Sequence, residues 1–237
     1  MEAATVLARL AERPELAALL LDVDGTLAPI VSRPEDARVP ETTREELRRL
    51  AERYALVACV SGRPSRVAEQ IVGVDGIRYV GEHGLELAPD AETWAERLAN
   101  FAEGVDWPAE GGKRLTLSFH YRAAEDESAE RYLRSVAERA AEEGLRPRWG
   151  RKVLEIRPPV DAHKGTAVRS LLNEAGLRRA LYAGDDTTDL DAFHALDGLE
   201  LAVRVAVSSD EAPTDLARAA DLVVDGPDSL AELLRQL

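Results

Sequence analysis

Ala17-Ala18-Leu19-Leu20-Leu21-Asp22-Val23-Asp24-Gly25-Thr26 is the stretch on which the fold turns. Its apolar run has no polar alternation and reads as a strand buried on both faces. Such strands belong to parallel sheets covered by helices. Two aspartates follow at once. Residues two apart on an extended chain point to the same side. Asp22 and Asp24 would therefore present paired carboxylates beyond the carboxyl end of a strand, where open α/β sheets bind their ligands. One can attack an electrophile while the other moves a proton. Carboxylates this close repel, so a cation or a raised pKa is expected. The same residues also fit an Asx turn closed by Asp-Gly. A calcium loop does not fit, because its Gly and closing Glu would fall at other offsets.

Outward from this stretch, further apolar bursts occur at Ala55–Val60, Ile77–Val80, Ala180–Ala183, Leu199–Val207 and Leu222–Val224. Between them lie amphipathic runs. In Thr42–Tyr54 the residues Leu47, Leu50 and Tyr54 recur at helical spacing, and Thr43 with Glu46 forms a capping-box signature. Arg66–Val72 and Ser229–Leu237 follow the same pattern. This alternation predicts a doubly wound α/β fold with a parallel, Rossmann-like sheet. The middle differs. A helix at Asp90–Val105, a strand at Leu115–Tyr121, a helix at Ser128–Gly144 and a strand at Val153–Ile156, paired with Arg146–Trp149, predict an inserted α+β unit with an antiparallel sheet.

The chain has 237 residues, with 30 Lys+Arg against 44 Asp+Glu and a formal charge of −14. A nucleic-acid partner is not expected, since phosphate contact needs a basic face. No apolar run approaches the ~18–20 residues of a membrane span. The first residues carry acids and no basic n-region, so a signal peptide is not expected. Cys59 is the single cysteine, which fits a reducing cytoplasm. Residues 111–159 carry 11 basic and 8 acidic side chains, +3, whereas the remainder carries 19 and 36, −17. Solvated helix faces account for most of these charges. The asymmetry also suits a middle unit that meets an anion while the core supplies carboxylates.

Three further clusters sit at strand ends or helix starts. Gly184-Asp185-Asp186-Thr187-Thr188-Asp189 follows an apolar strand; with Asp22 and Asp24 it offers hard oxygen ligands to a cation, or by itself it caps a helix. Ser61-Gly62-Arg63 precedes a helix and suits phosphate, or is an ordinary turn. Lys164-Gly165 opens another helix, with a surface lysine as the plainer reading.

Together, Asp-x-Asp-Gly-Thr, Ser, Lys and Gly-Asp-Asp-x-x-Asp resemble the haloacid dehalogenase phosphohydrolases, over roughly residues 20 to 190. The resemblance implies that Asp22 attacks phosphorus, while Asp24 protonates the leaving oxygen and then activates water. Thr26, Ser61, Gly62 and Lys164 would hold the phosphoryl group. Mg²⁺ would be held by Asp22, the backbone carbonyl of Asp24, and Asp185, with Asp189 assisting. Only 36 residues separate Asp24 from Ser61, but 102 separate Ser61 from Lys164, so the insertion lies in the second of the two cap positions. That implies a catalytic core at residues 1–88 and 160–237 and a specificity cap at 89–159.

Other segments resemble the trehalose-6-phosphate phosphatases of that superfamily: LLLDVDGTLAPIV, VSGR, GEHGLEL, SFHYR, VLEIRP, HKG and GDDTTD. GEHG, HYR and LEIRP are the discriminating ones. They imply that Arg63, His83, Gly84, Arg122, Arg151 and Glu155 face the sugar or its phosphate. The resemblance also implies an enzyme acting on a small sugar phosphate, and a cytoplasmic monomer is expected. Another sugar-phosphate phosphatase, a phosphomannomutase-like transferase and a non-catalytic homologue share much of the pattern. Leu190 departs from it, standing where the family commonly has Glu. Trp94, Trp107 and Trp149 read as packing, with Trp149 the one candidate for a sugar platform.

Overall fold

The computed structural model describes residues 3–121, 127–150, 152–209 and 213–237. Its chain divides into two compact units, residues 1–84 with 162–237, and residues 85–161.

The larger unit begins with α1 (Ala3–Ala11), β1 (Ala18–Leu21), α2 (Glu41–Arg53), β2 (Leu56–Val60), α3 (Ser65–Val72) and β3 (Arg78–Val80). The smaller unit holds α4 (Ala91–Glu103), β4 (Leu117–His120), α5 (Glu127–Glu142), β5 (Arg146–Gly150) and β6 (Val153–Arg157). The chain then returns to the larger unit through α6 (Lys164–Ala175), β7 (Arg179–Gly184), α7 (Asp189–Ala195), β8 (Leu201–Ser208), α8 (Thr214–Ala219), β9 (Leu222–Asp225) and α9 (Gly226–Leu234).

The large sheet has the order β3-β2-β1-β7-β8-β9, and each of its pairs is parallel. β1 lies between β2 and β7, at the point where the strand order reverses. Leu21 stands beside Cys59 on one side and Ala183 on the other, so the segments that follow all three strands emerge together. Alternate residues serve opposite faces. Leu19, Leu21, Val57, Cys59, Leu181 and Ala183 share a core with Leu10, Leu47, Leu50, Ile71 and Leu234 of the helices on one side. Tyr182 points to the other side, where its ring meets Phe193 of α7 edge-on at 6.1 Å.

α2 departs from the expected capping box. Pro40 occupies the N-cap position, no side chain caps the helix, and Thr43 is buried. Pro40 has φ −58° and ψ 146°, so its carbonyl opens the helix at Glu41, before Thr43 could act as a cap.

In the smaller unit the antiparallel order is β4-β6-β5. Leu117, Phe119, Leu154 and Ile156 form one face and pack on Leu98, Phe101, Leu133 and Val136 of α4 and α5. Trp149 pairs with Leu154 on this same face, with the Tyr121 ring edge-on at 6.2 Å and the Arg134 guanidinium over it at 5.5 Å. Trp149 thus packs in part against the unit's own side chains and stays 39% exposed. The opposite face carries Ser118, Glu155 and Arg148 in one cross-strand row. Among the described residues, no helix is long and apolar enough to cross a membrane.

Candidate active site

The segment after β1 turns tightly. The Asp22 N–H donates to the Ala183 carbonyl (2.9 Å), which ties the end of β1 to β7. Gly25 then adopts φ +78° and its N–H reaches the Ala28 carbonyl (2.8 Å). A Cβ at Gly25 would lie 2.1 Å from Asp185 Oδ2. Glycine thus lets the second acidic loop close onto the first.

Four charged groups meet here. Lys164 Nζ, at the start of α6, lies 2.9 Å from Asp22 Oδ1 and 2.7 Å from Asp189 Oδ1. All three residues are at most 4% exposed. One oxygen each of Asp22, Asp185 and Asp189 fall within 4.8 Å of one another. Three carboxylates therefore face one ammonium. Burial raises the pKa of Asp22 well above its ordinary value; Lys164 opposes this, and Asp189 and Asp185 reinforce it. Burial and the Asp189 charge raise Asp185 as well. For Lys164, burial favours the neutral amine, but the carboxylates of Asp22 and Asp189 outweigh it and hold the ammonium. The surplus negative charge on hard oxygen donors suits a divalent cation such as Mg²⁺.

The donors do not serve that cation equally. Asp189 Oδ1 accepts Lys164 Nζ and the Tyr182 hydroxyl (2.7 Å each), while Oδ2 accepts the N–H groups of Asp185 (3.0 Å) and Asp186 (2.9 Å). A carboxylate has about four lone-pair sites, and all four are taken. Asp189, expected to assist at the metal, lies in the three-carboxylate cluster and also organises the acidic loop through these four donors. The expectation for Thr26 is corrected. It is fully buried and its hydroxyl donates to Asp185 Oδ1 (3.0 Å), so it orients that carboxylate and is closed off from a phosphate.

Asp24 stands apart from the three-carboxylate cluster. Its two oxygens accept a fork from Arg63, Nε to Oδ2 at 2.7 Å and Nη2 to Oδ1 at 2.6 Å. Arg63 Nη1 also donates to the Pro34 carbonyl (2.9 Å). Arg63, expected at the substrate, here holds the second aspartate.

Beyond β2, the N–H of Ser61 donates to Val80 and its hydroxyl accepts the Arg63 N–H (3.1 Å). The hydroxyl proton of Ser61 is thus left to be given elsewhere. The Glu82-His83-Gly84 segment is bound to this loop, Glu82 N–H to the Arg63 carbonyl and His83 N–H to the Ser61 carbonyl. Glu82 and His83 have φ 48° and 56°, a conformation costly for side-chain-bearing residues. The result sets the His83 imidazole against Gly62, where a Cβ would lie 2.7 Å from the ring. Arg122 and Arg151 lie outside the described residues, and Glu155 lies on β6 of the smaller unit. α7 begins at Asp189 despite Leu190 in place of the family's Glu.

Tyr182 went unnoticed in the sequence. The signal was a hydroxyl inside a strand buried on both faces, which requires a partner.

The six-stranded parallel sheet with its inserted α+β unit is a haloacid dehalogenase type of α/β fold. A trehalose-6-phosphate phosphatase of Aspergillus fumigatus shares it, with a TM-score of 0.68 and 24% identity over 99% of this chain and 96% of that one. Within that class the family is narrower. The trehalose-phosphatase family profile matches residues 20–110 and 111–227, and the chain belongs to that family. It is 34% identical to an uncharacterized glycosyl hydrolase of Mycobacterium tuberculosis, across 93% of this chain but 18% of that protein. It is 32% identical to a trehalose-phosphate phosphatase of Mycobacterium marinum, across 93% of this chain and 61% of that one. The chain thus spans less than two thirds of either relative.

Proposed function

We propose that this chain is a Mg²⁺-dependent phosphatase that hydrolyses trehalose 6-phosphate to trehalose and phosphate. The observation that carries the reading is the buried contact of Asp22 with Lys164 (2.9 Å), beside Asp185, in a chain of the trehalose-phosphatase family. A bound Mg²⁺, held by Asp22, Asp185 and the Asp24 carbonyl, would supply the charge that lets a carboxylate approach a phosphate dianion.

The protein's own groups divide the rest. An Asp22 oxygen bonds to phosphorus as the bond from phosphorus to the sugar oxygen breaks. Asp24 gives that oxygen its proton. Asp24, now ionised, takes a proton from water, whose oxygen attacks phosphorus; the bond to Asp22 breaks and phosphate leaves. Each Asp24 oxygen keeps a lone pair outside the Arg63 fork for this exchange. Lys164 screens Asp22 from the incoming anion, and Ser61 and Gly62 offer the phosphoryl oxygens a hydroxyl and an N–H. Sugar recognition is assigned to His83 and Gly84 of the larger unit and to Arg122, Arg151 and Glu155 of the smaller. A cytoplasmic, monomeric enzyme completes the proposal.

The test is release of inorganic phosphate from a panel of sugar phosphates, with and without a chelator. Trehalose 6-phosphate should show the highest kcat/KM, and chelation should abolish turnover until Mg²⁺ is returned. Preference for another sugar phosphate, or a requirement for a bisphosphate activator, would replace the substrate or the reaction class. No turnover even of p-nitrophenyl phosphate would leave a non-catalytic homologue.

A further inference from the structure

We infer that Tyr182 is a positioning residue for the reaction: its hydroxyl fixes Asp189, which in turn holds Lys164 against Asp22. The contacts run without a gap from Tyr182 Oη to Asp189 Oδ1 (2.7 Å), from there to Lys164 Nζ (2.7 Å), and on to Asp22 Oδ1 (2.9 Å). The four residues are all buried.

Tyr182 is built as a fixed post. It sits mid-strand in β7, between Leu20 of β1 and Arg204 of β8, and its ring is wedged edge-on against Phe193. Asp189 has no such rigidity of its own, since it opens a helix of seven residues. The N–H groups of Asp185 and Asp186 anchor only Oδ2. Without the Tyr182 hydroxyl, Oδ1 keeps the Lys164 ammonium as its one donor, and the placement of that ammonium is left to its two carboxylate partners, Asp189 and Asp22. An ammonium that must screen a nucleophile from a phosphate dianion acts through placement, and small displacements cost rate. Tyr182 touches neither substrate nor cation in this scheme; its effect passes through Asp189.

The kinetic part of this inference rests on the phosphatase reading, so the test has a second arm independent of turnover. Tyr182→Phe removes one oxygen and keeps the ring. Its kcat should fall about tenfold, the scale of one lost hydrogen bond to a charged group, on both trehalose 6-phosphate and p-nitrophenyl phosphate, with KM within twofold. In an Asp189→Asn background the same change should add nothing. The chain has only three lysines, Lys113, Lys152 and Lys164, so protein labelled with ¹³Cε-lysine gives three resonances, assignable with Lys113→Arg and Lys152→Arg. Tyr182→Phe should move the Lys164 resonance and leave the other two in place. An unmoved Lys164 resonance overturns the inference. So does a kcat within twofold of wild type, or a full tenfold loss repeated in the Asp189→Asn background, which would assign the effect to packing. Should wild type hydrolyse no phosphate ester, the phosphatase reading fails, and the resonance alone decides whether Tyr182 positions Lys164.

Discussion

Replacing Lys164 by Met takes the ammonium from between two buried carboxylates and leaves a side chain of similar length. Asp22 and Asp189, at 2.9 and 2.7 Å from Nζ, then face each other and Asp185 with no cation among them. Breaking a buried ion pair on one side costs about 3–5 kcal/mol, because a charge is left without its counterion. The unfolding entropy is about 2.1 cal/mol/K per residue, or about 0.5 kcal/mol/K for 237 residues, so Tm should fall by roughly 6–10 °C at neutral pH. The sign of the pH dependence follows from Asp22, whose native pKa is raised by burial above its ordinary 3.8. Between those two values the native state holds a proton that the unfolded chain has lost, so stability falls as pH rises through that window. Loss of Lys164, the main opposing influence, pushes the native value higher still and widens the window. The Tm gap between Lys164→Met and wild type should therefore be widest at neutral pH and narrow toward pH ~4. Thermal unfolding followed by circular dichroism from pH 8 to 4.5 measures it. A variant as stable as wild type at pH 7, or a gap that does not change with pH, would refute the picture of ionised carboxylates buried around one ammonium.

Asp22→Asn should abolish turnover while the circular dichroism spectrum stays native, since an amide cannot form the acyl phosphate; beryllium fluoride should inhibit wild type, and robust turnover by the variant would dismiss Asp22 as nucleophile. Thr26→Val removes the donor to Asp185 Oδ1 and should raise the Mg²⁺ concentration needed for half-maximal activity several-fold, whereas an unchanged requirement would mean the hydroxyl does not orient that ligand. Glu155→Ala should lower kcat/KM for trehalose 6-phosphate by about one to two decades and barely affect p-nitrophenyl phosphate, the difference being the sugar hydroxyls left unpaired. Equal losses on both substrates would assign Glu155 to folding of its sheet.

The sequence by itself determined the doubly wound sheet, because strands buried on both faces must be written as short unbroken apolar runs, and Ala18–Leu21, Leu56–Val60 and Arg179–Gly184 lie where such runs stand. It also marked the inserted α+β unit and placed Asp22, Lys164 and Asp185 at strand ends and a helix start. These are local properties of patterning and spacing. What each polar atom touches is not local. Thr26 reads as a phosphate contact until Asp185, 159 positions away, takes its hydroxyl. Arg63 reads as a substrate group until its fork closes on Asp24, 39 positions away. Asp189 reads as an acid at the metal, and only the fold shows the four donors from α6, β7 and its own loop that reach its oxygens. Tyr182 is one more buried aromatic until its hydroxyl meets Asp189. The tertiary structure decided these because a carboxylate has few lone pairs, and only the folded chain shows which donors arrive at them.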